Sequence, residues 1–497
     1  MREQRYDFII RGAGIYDGSG APPFTGAVAV RGDRIVAVGE TTGAAAREID
    51  ARGLAVAPGF IDVHSHDDFA IFVTPEMDFK TMQGVTTDVV GNCGLGAAPF
   101  SVSSRMFVSM GADGKTPTWD GYPGYFDAVD HNPPSLNVAV LAGHGTLRFA
   151  AMGNEKREPT ESEMAAMRTC LVEALDAGAV GLSTGLIYEP GRYARTEEIV
   201  VLAREMAGGR GLYASHMRDE GSGLLDSVRE TIHIGEAAGI PVQISHHKAS
   251  GADNWGMVRE SIKLIEQANA RGIDVTADQY PYIAGSTILA AVVQNGALGG
   301  EARGGMGRVP AEKVLFASTP RHPQYEGMTL RQLCDLWGMT ELEAARRILD
   351  EEGANAVVVT EMMNEEDVRT VMRHRSTMIG SDGIAAGSRP HPRLYGTFPR
   401  VLGRYARDGG LMPLHEAIHR MTGLPATKFQ LEGRGFLRAG SFADIVVFDP
   451  ASIIDTATYQ EPRRYPEGID HVFVNGVEVA REGRHTGARP GRALRRG

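Results

Sequence analysis

Along roughly the first 55 residues, apolar and polar positions alternate with period two. YDFIIRGAGIYD, GAVAVRGDRIVAVGE and AREIDARGLAVAPG predict short strands separated by Gly and Asp turns, with no helical repeat. The end of the chain has the same texture. GSFADIVVFDP is followed by HVFVNGVEVAREGR, where Asn-Gly between two apolar runs signals a hairpin. Both ends therefore predict parts of one small β-domain, a sandwich built from residues 1–57 and 426–486.

The middle, 58–425, has a different rhythm. Apolar runs recur at GFIDVHSH, GVTTDVVGNC, NVAVLAGHG, AVGLSTGLIY, GLYASHMR, PVQISHHK, IDVTADQYPY and STMIGSDG. Amphipathic helical stretches separate several of them. In TESEMAAMRTCLVEALDAG, Thr160 and Glu163 form a capping box, Met164, Met167, Leu171 and Leu175 share one face, and Gly178 stops the helix. Strand and helix in alternation, eight times over, predict an α/β fold of the (β/α)8 TIM-barrel type. The rhythm breaks from about 284 to 350, which predicts an insertion over the barrel mouth. Residues 487–497, GARPGRALRRG being the end of the chain, predict a flexible basic tail.

Composition narrows the class. A hydrophobic fraction of 42% and a charged fraction of 23% over 497 residues fit a globular enzyme of one large and one smaller domain. The net charge of −11 disfavours nucleic acid as a partner. No apolar window is long enough to span a membrane, and no signal peptide opens the chain. Cys93, Cys170 and Cys334 are odd in number and far apart, which predicts no disulfide framework and a reducing, cytoplasmic setting. Cys170 and Cys334 lie inside amphipathic helical patterns and read as packing residues.

Chemistry in such a barrel gathers at the C-terminal strand ends. In order these carry His64 and His66, Cys93, His144, Tyr188, His216, His246 with His247 and Lys248, Tyr280, and Asp382. Alternation puts His64 and His66 on one side of an extended strand, so both imidazoles can meet one divalent metal. Cys93, His216 and His246 supply a thiolate and two imidazoles, a donor set suited to Zn(II) with one position left open. His247 faces the other way and reads as structural. Asp382, at the eighth strand end, is placed to take a proton from an attacking water and hand it to a departing nitrogen. His144 reads equally as a packed histidine or as a support behind the ligands. Arg218 and Glu220 in SHMRDE read as a brace for the histidines or as a plain ion pair.

The segments PGFIDVHSHDD, VTTDVVGNCG, GLSTGLIY, SHMRDE, QISHHK, YPY, IGSDG and HPRLYGTFPRVLG resemble the D-aminoacylases (N-acyl-D-amino-acid deacylases) of the amidohydrolase superfamily over nearly the whole chain. The resemblance implies a barrel with a small β-domain and zinc-dependent hydrolysis of the amide bond of N-acyl-D-amino acids. One Zn(II) is implied tightly bound at Cys93, His216 and His246. A second, weaker site is implied at His64 and His66, with Cys93 able to bridge. The lysine that binuclear relatives carry on the fourth strand is absent from GLSTGL. The resemblance also implies a clamp for the substrate α-carboxylate at Tyr188, Lys248, Ser286 and Arg393. Relatives acting on acyl-D-glutamate are expected to carry an arginine near the position of Val293. TILAAVVQNGALGG has no cation, so neutral or apolar side chains are expected, unless Arg303 folds inward. A cyclic-amide hydrolase of the hydantoinase or dihydroorotase kind and an inactive scaffold barrel are the competing functions.

Overall fold

A computed structural model describes residues 6–41, 43–106, 116–298 and 305–496. Eight parallel strands lie side by side in chain order. They are β1 (Phe60–Asp62), β2 (Val85–Val90), β3 (Asn137–Gly143), β4 (Gly181–Gly185), β5 (Leu212–His216), β6 (Val242–Ile244), β7 (Val275–Gln279) and β8 (Thr377–Ile379). Every residue in them is buried, as expected of parallel strands covered on both faces. The seam between β8 and β1 closes beyond the strand ends. Asp382 N donates to His64 O at 2.7 Å and His66 N to Gly383 O at 3.1 Å. The chain segments that close the barrel thus carry three candidate site residues.

The helix Glu161–Ala177 shows how local signals place an element. Thr160 accepts from Glu163 N, while Glu163 accepts from Thr160 N at 2.7 Å. Met167, Leu171 and Leu175 are buried and Met164 is partly so. Gly178 ends the helix at φ 113°, left-handed backbone that favours glycine.

Both chain ends share one continuous nine-stranded sheet. Ile445–Phe448 pairs antiparallel with Ala55–Pro58, next to the long strand Tyr6–Ile15. A register shift between Arg11 and Ala13 bends that strand, which pairs in turn with three others. Phe8, Ile10, Val28, Val56, Ile445 and Phe473 form the core of this small β-domain. The Asn-Gly hairpin joins Ile469–Val474 to Val477–Arg481, with both turn residues at positive φ.

Two boundaries differ from expectation. The excursion between β7 and β8 runs on to Glu361. Its three-stranded antiparallel sheet orders Ala284–Ile288, Val357–Glu361 and Val314–Ser318 side by side. The last of its strands in sequence follows the helix Glu341–Glu352, past the expected boundary. The described part of the tail is not a loose end. Val138 N donates to Arg492 O at 2.9 Å, Leu494 N to Val138 O at 2.7 Å, and Arg496 N to Gly178 O at 3.0 Å. Arg495 pairs with Asp130 at 2.7 Å. Its basic residues, which suggested a solvated end, find partners at the N-terminal face of the barrel. No helix among the described residues is long and apolar enough to cross a membrane.

Candidate active site

At the C-terminal face of the barrel a cavity of about 340 Å³ opens. His66, Cys93, His216, His246 and Asp382 line it, with Tyr188, Lys248, Tyr280 and Ser286. Two groups of potential ligand atoms lie there, each with all atoms within 4.8 Å of one another: Cys93, His216 and His246; and His64, His66, Cys93 and Asp382. The cysteine belongs to both. Its Sγ is 3.5 Å from His246 Nε2 and 3.3 Å from His64 Nε2, while His246 Nε2 lies 2.8 Å from His216 Nδ1.

Backbone strain marks the same residues. Cys93, His246 and Asp382 have φ of 55°, 35° and 49°, three of the seven non-glycine residues described with positive φ. Such backbone persists where surrounding contacts impose it. For Cys93 the cause is visible in β4. Gly94 N donates to Ser183 Oγ at 3.0 Å, and a Cβ on Gly185 would stand 2.1 Å from the Cys93 carbonyl oxygen. The loop carrying the cysteine fills the space at the end of β4. That is why glycine stands there and a long side chain does not.

Burial disfavours a thiolate, but the imidazoles of His64, His216 and His246 hold the Cys93 thiol well below its usual range. Burial alone would likewise raise the Asp382 carboxyl. Arg393 and His64, with the bond from His66, hold it well below the usual carboxylate range. Asp382 Oδ1 is 3.1 Å from His66 Nε2, and Oδ2 is 2.9 Å from Arg393 Nη1.

Carboxylates behind the ligands orient them. Asp278, on β7, lies 3.2 Å from His64 Nδ1 and accepts from His246 N at 2.8 Å. Glu220 stands 3.0 Å from His246 Nδ1 and 2.6 Å from Lys248 Nζ. Fixing one ring nitrogen in this way turns the other toward a metal. Glu220 therefore braces a histidine and pairs with a cation, while Arg218 turns away to Glu230 at 2.9 Å. Beneath β1, the fully buried Lys80 bonds Asp62 at 2.5 Å and Ser381 at 2.9 Å, with Asp67 at 3.1 Å. It ties the HSHDD segment to the strand end of Asp382.

A metal fits these residues. The donor set of one thiolate and two imidazoles suits zinc. Cys93 Sγ at 3.5 Å and His216 Nδ1 at 2.8 Å converge on His246 Nε2, and His66 Nδ1 is among the buried atoms without a hydrogen-bond partner. Among the described residues the two donor groups converge beside a cavity, on oriented rings. Their sulfur, imidazole and carboxylate donors are of the kinds that a divalent, zinc-like metal takes.

The remaining candidates are placed as follows. Tyr188 lines the cavity, with its OH 3.1 Å from Thr287 Oγ1 and its ring against His216. Ser286 and Lys248 also line it. Arg393 does not: it is fully buried behind Asp382, donates to Ser286 O at 3.3 Å and stacks on Tyr280. His247 bonds Ser261 at 2.7 Å, and burial pushes its pKa down to about 3, the state of a neutral packed histidine. His144 bonds Glu198 at 2.8 Å and belongs to neither ligand group. Val293 does not line the cavity, whereas Ile288 of the same run does. Arg303 lies outside the described residues. Asp278 and Lys80 were missed. Each stands inside a strand or helix pattern, and only the acid-rich HSHDD hinted at a buried counter-cation.

The profile of the Amidohydrolase family matches residues 47–279 and 263–480. The chain belongs to that family. It is 42% identical to a D-aminoacylase of Alcaligenes xylosoxydans xylosoxydans, over 99% of this chain and 98% of the relative. It is 40% identical to an N-acyl-D-glutamate deacylase of the same organism, over 99% and 97%. Among solved structures, the N-acyl-D-glutamate deacylase of Bordetella bronchiseptica matches with a TM-score of 0.90 and 41% identity, over 99% of this chain and all of that one. That structure is complexed with zinc and a phosphonate inhibitor, a mimic of the tetrahedral reaction intermediate. A D-hydantoinase shares the fold at 14% identity and a TM-score of 0.59.

Proposed function

We propose that this amidohydrolase cleaves the linear amide bond of N-acyl-D-amino acids with neutral or apolar side chains, giving a carboxylate and a free D-amino acid. The observation that carries the reading is Cys93, shared by both ligand groups, with Asp382 in contact with His66. A zinc held by Cys93, His216 and His246 would supply Lewis-acid polarisation of the scissile carbonyl and a more acidic water. His64 and His66, with Cys93, would hold a second metal.

Asp382 receives the proton of the attacking water on Oδ1 and returns it to the departing nitrogen. Its ionised resting state, held by Arg393 and His66, leaves it ready to accept. Lys248, Ser286 and Tyr188 on the wall hold the α-carboxylate. Arg393 joins them by exchanging its ion pair with Asp382 for the substrate anion, which also loosens its hold on the base. Its Nε has no hydrogen-bond acceptor, so a donor is at hand. The apolar Ile288 and Met306 on the excursion side favour a neutral side chain. Three unpaired cysteines fit a cytoplasmic setting.

Metal analysis of the purified protein, with a panel of N-acetyl-D- and N-acetyl-L-amino acids, tests this. Turnover of neutral D-substrates with at least one zinc per chain is expected. A Cys93→Ala variant that keeps full zinc and full turnover would overturn it.

A further inference from the structure

The cavity has a second wall that the proposed clamp does not use. In the closed order of strands, the loops after β2 and β3 stand across the barrel from those after β6 and β7. The clamp residues Lys248 and Ser286 follow β6 and β7. Leu95, Val102, Arg105 and Phe149 follow β2 and β3 and line the same cavity. They come from the loop after Cys93 and from the helices Phe100–Met106 and His144–Met152, which pack on each other.

The charges along the cavity are unequal in their pairing. Lys248 is neutralised by Glu220 at 2.6 Å. Glu189 accepts from Asn154 at 2.8 Å and from Tyr193, with Lys156 and Arg192 nearby to offset it. Arg105 is exposed in the last turn of its helix and has no hydrogen-bond or ion-pair partner among the described residues. Phe149, in the helix after β3, lines the same cavity and leaves 36% of its surface exposed. An apolar wall ending in an unpaired guanidinium is complementary to a short methylene chain ending in an anion. A guanidinium recognises a carboxylate by paired, charge-assisted hydrogen bonds.

We propose that Arg105 selects N-acyl groups bearing a terminal carboxylate, of the succinyl or glutaryl class, with the methylenes lying on Leu95, Val102 and Phe149. The proposal rests on the amidase reading above, because it assigns the acyl arm of that substrate to the wall opposite the α-carboxylate clamp.

The test compares kcat/KM for N-succinyl-D-leucine and N-butyryl-D-leucine, which differ by the terminal carboxylate. N-acetyl-D-leucine and N-acetyl-D-glutamate are measured alongside. In the wild type the succinyl substrate is expected to lead the butyryl one by roughly fivefold, the upper end for an ion pair at an exposed site. The lead is expected to shrink as salt is added. Arg105→Ala brings the ratio to about one, Arg105→Glu reverses it, and Arg105→Lys retains part of it. Equal rates in the wild type, or an unchanged ratio in Arg105→Ala, overturn the proposal. If Arg105→Ala instead depresses N-acetyl-D-glutamate alone, the guanidinium reads the amino-acid side chain and the acyl assignment fails. Turnover of N-acetyl-D-leucine without any succinyl preference leaves the amidase reading standing while this one falls. No turnover of any N-acyl-D-amino acid removes both.

Discussion

Cys93 and Asp382 hold left-handed backbone, uncommon for any non-glycine residue and costlier for cysteine than for aspartate. Contacts on every side hold them there. The carbonyl of Cys93 fits only over the bare Gly185, and Asp382 N is committed to His64 O. The same contacts bring the sulfur and the carboxylate into one group of potential ligand atoms, all within 4.8 Å of one another. Asp382→Asn should therefore lower kcat by about a hundred- to ten-thousandfold, the usual range for a lost general base. Zinc at Cys93, His216 and His246 should remain. Metal content measured beside kcat separates a lost proton acceptor from a lost ion.

Elements differ in what holds them. The helix Glu161–Ala177 depends on local signals, and its Thr160 cap is exposed to solvent. The seam between β1 and β8 depends on Lys80, buried among Asp62, Asp67 and Asp88. Desolvation alone would lower the lysine pKa, and those three carboxylates push it up instead. Replacing the cation leaves carboxylates unpaired in a low-dielectric interior. Thr160→Ala should cost about 1 kcal/mol in urea unfolding. Lys80→Met should cost about 3–5 kcal/mol. A reversed ranking would contradict the assignment of the barrel seam to this network.

For the whole molecule, the two chain ends are joined by charge as well as by the shared sheet. Glu478, near the C-terminus, accepts from His471 at 2.6 Å and from Arg47 at 2.7 Å, the latter in the N-terminal strand Ala45–Asp50. Burial would raise the glutamate, but the bonds from His471 and Arg47 bring its pKa from the ordinary 4.5 down to about 2. A carboxyl depressed in the folded state adds stability above the unfolded pKa. That stability is lost as pH falls from 4.5 toward 2. Glu478→Gln should be less stable at neutral pH and lose less on acidification over that window. Unfolding midpoints across pH measure the difference in slope.

Much of this was legible in the chain because the signals are local. The eight apolar runs, the Asn-Gly hairpin and the Thr160–Glu163 box each depend on neighbours a few residues away. His64 and His66 share a side through strand alternation alone. Other features were set by distant partners. Asp278 supports His64 from 214 residues away, and Lys80 reaches Ser381 across 301. The basic tail found partners on the barrel floor that its own composition could not reveal. Arg393 illustrates the limit: the resemblance implied a clamp residue, and packing sets its buried guanidinium against Asp382, a contact that no neighbour in the chain foretells. The sequence by itself determined periodicity, capping and which side chains stand at strand ends, because covalent geometry and short-range sterics decide those. Only the tertiary structure decided which of those side chains converge, which brace the others and which charge is left unpaired. Those outcomes depend on closing long loops and on burial, to which neighbouring residues in the chain contribute little.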